Sequence, residues 1–423
     1  MNRRIAATLL GALVLVAGAA VSWAWYVGYF GTPSEPRVAA ELPASKDVLD
    51  HIQNGTKMVR VLATLHDRIV KGDAAAASQR DQSIEEIGQA FLSFGQREWA
   101  NPRNFEAMMA YVLGGGRTEA AEAFLNSNAG TVDQAKLAKG AVSFALRRTK
   151  TALKLIGDVE PRTVDRPLIA PLALALASLH ATSDVERGLL LFDEARLHAP
   201  GTAIEEAAIR REVPMLLQKG DTANAEALTA RYVRAFGASL FADTFQADVA
   251  KSFASLDEAK AIVAFKDLAA LLNEAPVGPK SSLYLAVARS ALLAGKLALG
   301  KLSADAVVAM GDDNGDKVHR AKLYSAAAQA PTEMADIASH DLQEIPAAGL
   351  DDEEIAIRDA AQKIANKVLE AAVRIPQDAK TSTGAERLSG GAKGRADSTK
   401  ADLLGKSANA VKLADELLSA EKK

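Results

Sequence analysis

Apolar residues recur every three or four positions from Met58 onward, and from Gly114 on, short turns interrupt that pattern at intervals of about 32 to 38 residues. Few folds satisfy both constraints at once. Met58, Val61, Leu62, Leu65 and Ile69 follow the spacing that places side chains on one face of a helix. Gly72 and Asp73 then restart the pattern, and a second apolar face would include Ile84, Ile87, Phe91 and Phe94. Two antiparallel helices are therefore expected here. Further turns are read at 114–116, Arg147, 183–184, 220–221, 255–257 and Gly295. Their interval lies close to the roughly 34-residue period of tetratricopeptide helix pairs. The expected fold class is all-α, an array of antiparallel helix pairs forming a tetratricopeptide-like solenoid. The alternative is an irregular Ala-rich bundle, in which Gly-bearing turns fall at such spacings by accident.

Gly188, Phe192, Ala195 and Pro200 match a tetratricopeptide second helix most closely, with Gly in place of the first Ala. Small residues at such positions let neighbouring helices approach, and Pro200 ends the helix by removing a donor. Two other units match more loosely. Leu216 and Leu217 precede the 220–221 turn, and Ala225, Leu228 and Tyr232 come after it; Tyr284, Leu285, Ala288 and Leu292 precede Gly295.

The two ends differ from this body. Arg3 and Arg4 precede an apolar run from Ile5 to Phe30, the order of an export signal, and the positive-inside rule sends the chain beyond Phe30 across the membrane. Small residues at Ala17, Ala19, Ser22 and Ala24 offer cleavage sites, whereas Trp23, Trp25, Tyr26 and Tyr29 would suit a retained anchor. Both outcomes give a periplasmic body. The expected organisation is an export signal or anchor over 1–31, a Pro-bearing linker over 32–45, and the helical body over 46–376. A Gly- and Ser/Thr-bearing disordered linker over 377–400 and a short helix over 401–423 complete the chain. In that last stretch Leu404, Val411 and Leu418 are spaced by sevens, which suits a helix docking on the body or one binding a partner.

Composition and motifs narrow the chemistry. Fifty Lys and Arg against 53 Asp and Glu leave no basic footprint for nucleic acid. With no cysteine, disulfides, thiolate ligands and cysteine nucleophiles are all ruled out. The six histidines, His51, His66, His180, His198, His319 and His340, make no His-Glu-x-x-His pattern. Asp312, Asp313, Asn314, Gly315 and Asp316 place glycine wrongly for a calcium loop and read as a polar turn. Gly114, Gly115 and Gly116 lack the Gly-Lys-Ser/Thr that continues a phosphate loop and read as a helix-to-helix turn. A Gly-x-Ser-x-Gly elbow is missing, as is the Glu-Ser dipeptide of helical lytic transglycosylases. No catalytic, cofactor-binding or metal-ligating residue is assigned, no cofactor is expected, and the chain reads as a binding protein rather than an enzyme. Trp99 and Arg103 are candidates for partner contact or, equally, for packing and capping.

The stretch from Lys57 through Arg60, Asp67, Arg68 and Ile69 to Asp73 carries more than a helical pattern. With Ile87–Phe91, Trp99, Pro102, Arg103, Asn104 and Tyr111–Gly116, it resembles the MotC family of periplasmic motility proteins of rhizobial bacteria. The resemblance is clearest between Lys46 and Asp221. It implies a role in flagellar rotation beside the stator proteins MotA and MotB, with the periplasmic part of MotB as the partner. Competing expectations are a periplasmic cell-wall lytic enzyme and a general envelope-assembly scaffold.

Overall fold

The computed structural model describes residues 55–311 and 315–381 of the 423, with side chains through 372. The export segment, the 32–45 linker, His51, positions 312–314, the stretch 382–400 and the 401–423 helix lie outside the described residues. Among the described residues there are eighteen α-helices and no strand, and no helix is long and apolar enough to cross a membrane. Two compact units divide the chain, Met1–Asn366 and Lys367–Lys423. Of the second, residues 367–381 are described, as the last part of one long helix.

The first unit opens with α1 (Gly55–Ile69), α2 (Ala75–Leu92), a single-turn α3 (Gln96–Trp99), α4 (Pro102–Leu113), α5 (Glu119–Ser127), α6 (Val132–Ala145) and α7 (Thr149–Ile156). A 3-10 turn at Pro161–Thr163 leads into α8 (Arg166–His180) and α9 (Val185–His198). Then come α10 (Ala203–Lys219), α11 (Thr222–Phe236), α12 (Ala242–Ser255), α13 (Glu258–Leu271), α14 (Val277–Leu293) and α15 (Leu297–Met310). Last are α16 (Gly315–Gln329), α17 (Ala335–Glu344) and α18 (Asp352–Thr381). The turns expected at 72–73, 114–116, 147, 183–184, 220–221 and 295 each separate two of these helices, that at 255–257 begins on the last residue of α12, and of the polar turn expected at 312–316 the two described residues, Gly315 and Asp316, open α16. α18 runs past residue 377 to Thr381.

Local chemistry explains the boundaries. Asp184 accepts a hydrogen bond from Arg187 N at 3.1 Å to start α9, and Asp221 accepts one from Asn224 N at 3.3 Å to start α11. Thr131 and Gln134 form a reciprocal capping box at the start of α6. Asn101 caps α4, and Pro102 takes its first position, where a missing N–H costs nothing.

Packing obeys the pairs. α1 lies on α2, α6 on α7, α8 on α9, α10 on α11, α14 on α15 and α16 on α17. Toward the C-terminal side, α12 stacks on α14 and α14 on α16, while α11 stacks on α13 and α13 on α15. First helices thus meet first helices, and second meet second, as in stacked-pair arrays. The small residues serve this approach: Gly188, Phe192 and Ala195 of α9 are all buried.

Two expectations are corrected on α1 and α2. Leu62, Leu65 and Ile69 are buried, but Val61 is 57% exposed, because it sits about 100° around the helix from Leu62. Phe94 is buried just beyond the end of α2 rather than on its face.

The N-terminal half departs from a plain stack. α4 packs on α8, α8 on α10, and α10 returns to α1, which itself packs on α4. Four helices therefore close a ring. α8 stands innermost: the residues from Leu168 to Leu179 are buried except for Pro171 and Ser178, as befits a helix apolar on all sides. The α1–α2 turn is pressed against residue 238: Gly72 has φ +94°, and a carbon added there would sit 2.6 Å from the Ala238 carbonyl oxygen. Beneath that turn, Phe241 packs on Leu65 and Ile69, and the Arg210 guanidinium lies 4.6 Å from the centre of the Phe241 ring.

Candidate functional site

Because α1 and α4 run parallel in one register, a space opens between them and α8. At one end Gly55 N donates to Asn104 Oδ1 at 3.0 Å. Toward the other end, a carbon added at Gly114 would come within 4.0 Å of the His66 ring. Between these points lies a cavity of about 560 Å³, bounded on its remaining sides by α8 and the start of α10. That is within the range of roughly 300–1,000 Å³ typical of ligand pockets.

The lining is mostly apolar: Ala107, Ala110 and Leu113 from α4, Pro171 and Leu174 from α8, and Ile204 from α10. Pro171 lies inside α8 and has no N–H, so the carbonyl of Pro167, another lining residue, lacks its usual helical donor. One end is closed by a long-range cap. Asp67 Oδ1 of α1 accepts from Ala203 N at 2.8 Å, at the first residue of α10.

Charge is concentrated in a few groups. Burial pushes Asp67 above the usual carboxylate range, against the Ala203 N–H and Lys71, which favour its charge. His66 is held down to about 4, by burial first and by Arg80 second, and is a neutral imidazole at neutral pH. Glu106 of α4 is raised to about 7, by burial and then by its hydrogen bond to the Asp165 carboxyl at the start of α8, while Arg103 opposes the shift.

A carboxyl pair of this kind links α4 to α8 only while it keeps a proton. The folded state holds that proton more tightly than the unfolded chain, so Glu106 contributes stability below its ordinary pKa and loses it as pH rises through about 7. His66 acts oppositely, but only below about 6.5, where its unfolded form titrates. These carboxyls should therefore lower the thermal midpoint as pH rises from about 4.5 to 7, with His66 opposing them over the lower part of that range, and Glu106→Gln should flatten part of the slope. Glu212 and Glu226, also raised to about 7 by burial, and Asp248, raised to about 6, add to it. An unchanged slope in Glu106→Gln would contradict the assignment.

The sequence candidates fall into two groups. Arg103 is exposed at the mouth of the cavity. Trp99 is 2% exposed, inside a cluster with Phe91, Phe94 and Phe124, and belongs to the core. The glycine run is a structural turn. A carbon added at Gly116 would lie 2.5 Å from the Tyr111 ring, whose hydroxyl donates to Ile84 O at 2.7 Å. His180 contacts Gly157 O at 2.9 Å and His198 contacts Glu194 at 3.0 Å, and no metal-ligating cluster occurs among the described residues. Arg60, His66, Asp67 and Glu106 line the cavity without having been singled out as a site from the sequence.

The family profile described as "Chemotaxis protein MotC" matches residues 5–423. A protein of that name from Rhizobium meliloti (strain 1021) is 28% identical over 316 residues, covering 74% of this chain and 72% of that protein. No solved structure matches.

Proposed function

Because the chain belongs to the chemotaxis protein MotC family, we propose that it is a periplasmic accessory protein needed for flagellar rotation, acting by binding the periplasmic part of the stator protein MotB. The family match along nearly the whole chain carries this reading. The paired helices support it, since stacked pairs offer broad surfaces for gripping another protein. An export-type N-terminus supports the compartment.

Such a protein shifts its partner between conformations only by binding one of them more tightly. The protein's work is then differential affinity. Deleting the gene should abolish swimming in soft agar while flagellar filaments still assemble, and full-length protein should co-purify with MotB from crosslinked envelopes. Normal swimming of the deletion strain would overturn the proposal.

A further inference from the structure

The cavity is lined with a regularity that a casual void would not have. From α1 it takes positions 56, 59, 60, 62, 63, 66 and 67, and from α4 and its C-cap positions 103, 106, 107, 110, 113 and 114. Leu62 apart, the two series have the same offsets, and the helices run parallel in register, as the Gly55–Asn104 bond and the approach of His66 to Gly114 show. Each offset set is the single stripe that a helix turns toward a neighbouring helix. α8 adds Pro167, Pro171 and Leu174, a third stripe of the same kind. Three helices thus face one groove about 16 Å long at 1.5 Å per residue, and no described helix fills it.

The shape specifies an occupant and the charge refines it. Thr56, Ala63, Ala107, Ala110 and Gly114 are small, which leaves depth for apolar side chains from outside. Arg60 and Arg103 are both exposed at this groove, and neither enters an ion pair among the described residues; Glu106, one turn on from Arg103 and lining the same groove, lies within its electrostatic reach. The far end is closed by Asp67 on Ala203 N. We propose that the α1–α4–α8 groove receives an amphipathic helix of a partner protein, its apolar stripe in the groove and its flanking Asp or Glu on Arg60 and Arg103. This rests on the protein-binding role given above and names the surface that performs it. Rim charges of this type set orientation and association rate, and the buried apolar stripe holds the complex.

The test uses full-length protein in its own bacterium, with Ala63 or Ala110 replaced by benzoylphenylalanine and Val132, which is 86% exposed elsewhere, as the control position. Irradiation should give adducts at 63 and 110, absent at 132, that map to one segment with helical apolar spacing and acidic flanks. That segment as a synthetic peptide should bind the purified protein and gain helicity. Arg60→Glu with Arg103→Glu should weaken it by about tenfold or more, and acid-to-lysine changes in the peptide should restore binding. Matching melting curves establish that the double variant is folded. Adducts to a second copy of this chain, or no adducts at either position, overturn the groove proposal. So does peptide binding that is indifferent to the double reversal. A segment from an envelope protein other than MotB would uphold the groove and overturn the stator assignment; MotB binding that ignores the groove variants would do the reverse.

Discussion

Arg210→Met is expected to lower the stability of the helical body by about 3–5 kcal/mol, the usual cost of removing one partner of a buried ion pair. Glu206 and Arg210 sit one turn apart on α10, 0% and 3% exposed, with Arg210 Nε 3.0 Å from the Glu206 carboxylate. Glu206 also accepts the Tyr232 hydroxyl at 2.7 Å from α11. Without the guanidinium, a carboxylate remains in the interior with two neutral hydroxyl donors, Tyr232 and, more distant at 3.4 Å, Ser239. The loss also reaches α1, because the guanidinium lies over Phe241, which packs on Leu65 and Ile69. Urea unfolding should show the fall in midpoint. Adding Glu206→Leu should recover most of it, since an apolar pair often replaces a buried ion pair without loss, leaving a deficit of about 1 kcal/mol for the Tyr232 hydroxyl. If the single and double variants fall equally, the penalty comes from lost packing and the electrostatic account is wrong.

That network shows where sequence reading stops. The pairs were legible because each turn carries its own local chemistry: Gly220 takes a left-handed φ of +86° that favours glycine, and Asp221 beside it caps the next helix. Helix periodicity alone also marked Leu62, Leu65 and Ile69 as buried. The closure of α10 onto α1 was not legible, because the Asp67–Ala203 bond joins residues 136 apart in sequence and nothing local distinguishes that aspartate from a solvated one. The same limit hid the groove. A stripe such as Thr56, Val59, Arg60 and Ala63 has the spacing of a core face, and only the placement of α4 and α8 shows that the space opposite it is open. Glu206 and Arg210 likewise have the i,i+4 spacing common on helix surfaces, and only the placement of α11 and Phe241 shows that they are buried.

Trp99 presents the sharper case, since an aromatic residue beside a short turn is as suited to partner contact as to packing. Its ring stacks on Phe91 at 5.9 Å and 15° and meets Phe94 and Phe124 edge-on at 5.0 Å and 5.4 Å. These rings tie α2, α3 and α5 together. Trp99→Ala should therefore cost about 3–5 kcal/mol through the lost surface and the cavity left behind. Its indole Nε1 is buried without an acceptor among the described residues, which itself costs about 1–3 kcal/mol in the native protein. Trp99→Phe keeps most of the aromatic contact and removes that unmade bond, so its loss should be far smaller than that of the alanine variant. A contact role predicts the opposite pattern: both variants melt like the native protein, and both weaken partner capture. Melting curves of the two variants, read beside swimming at permissive temperature, separate a wall of the core from a binding surface.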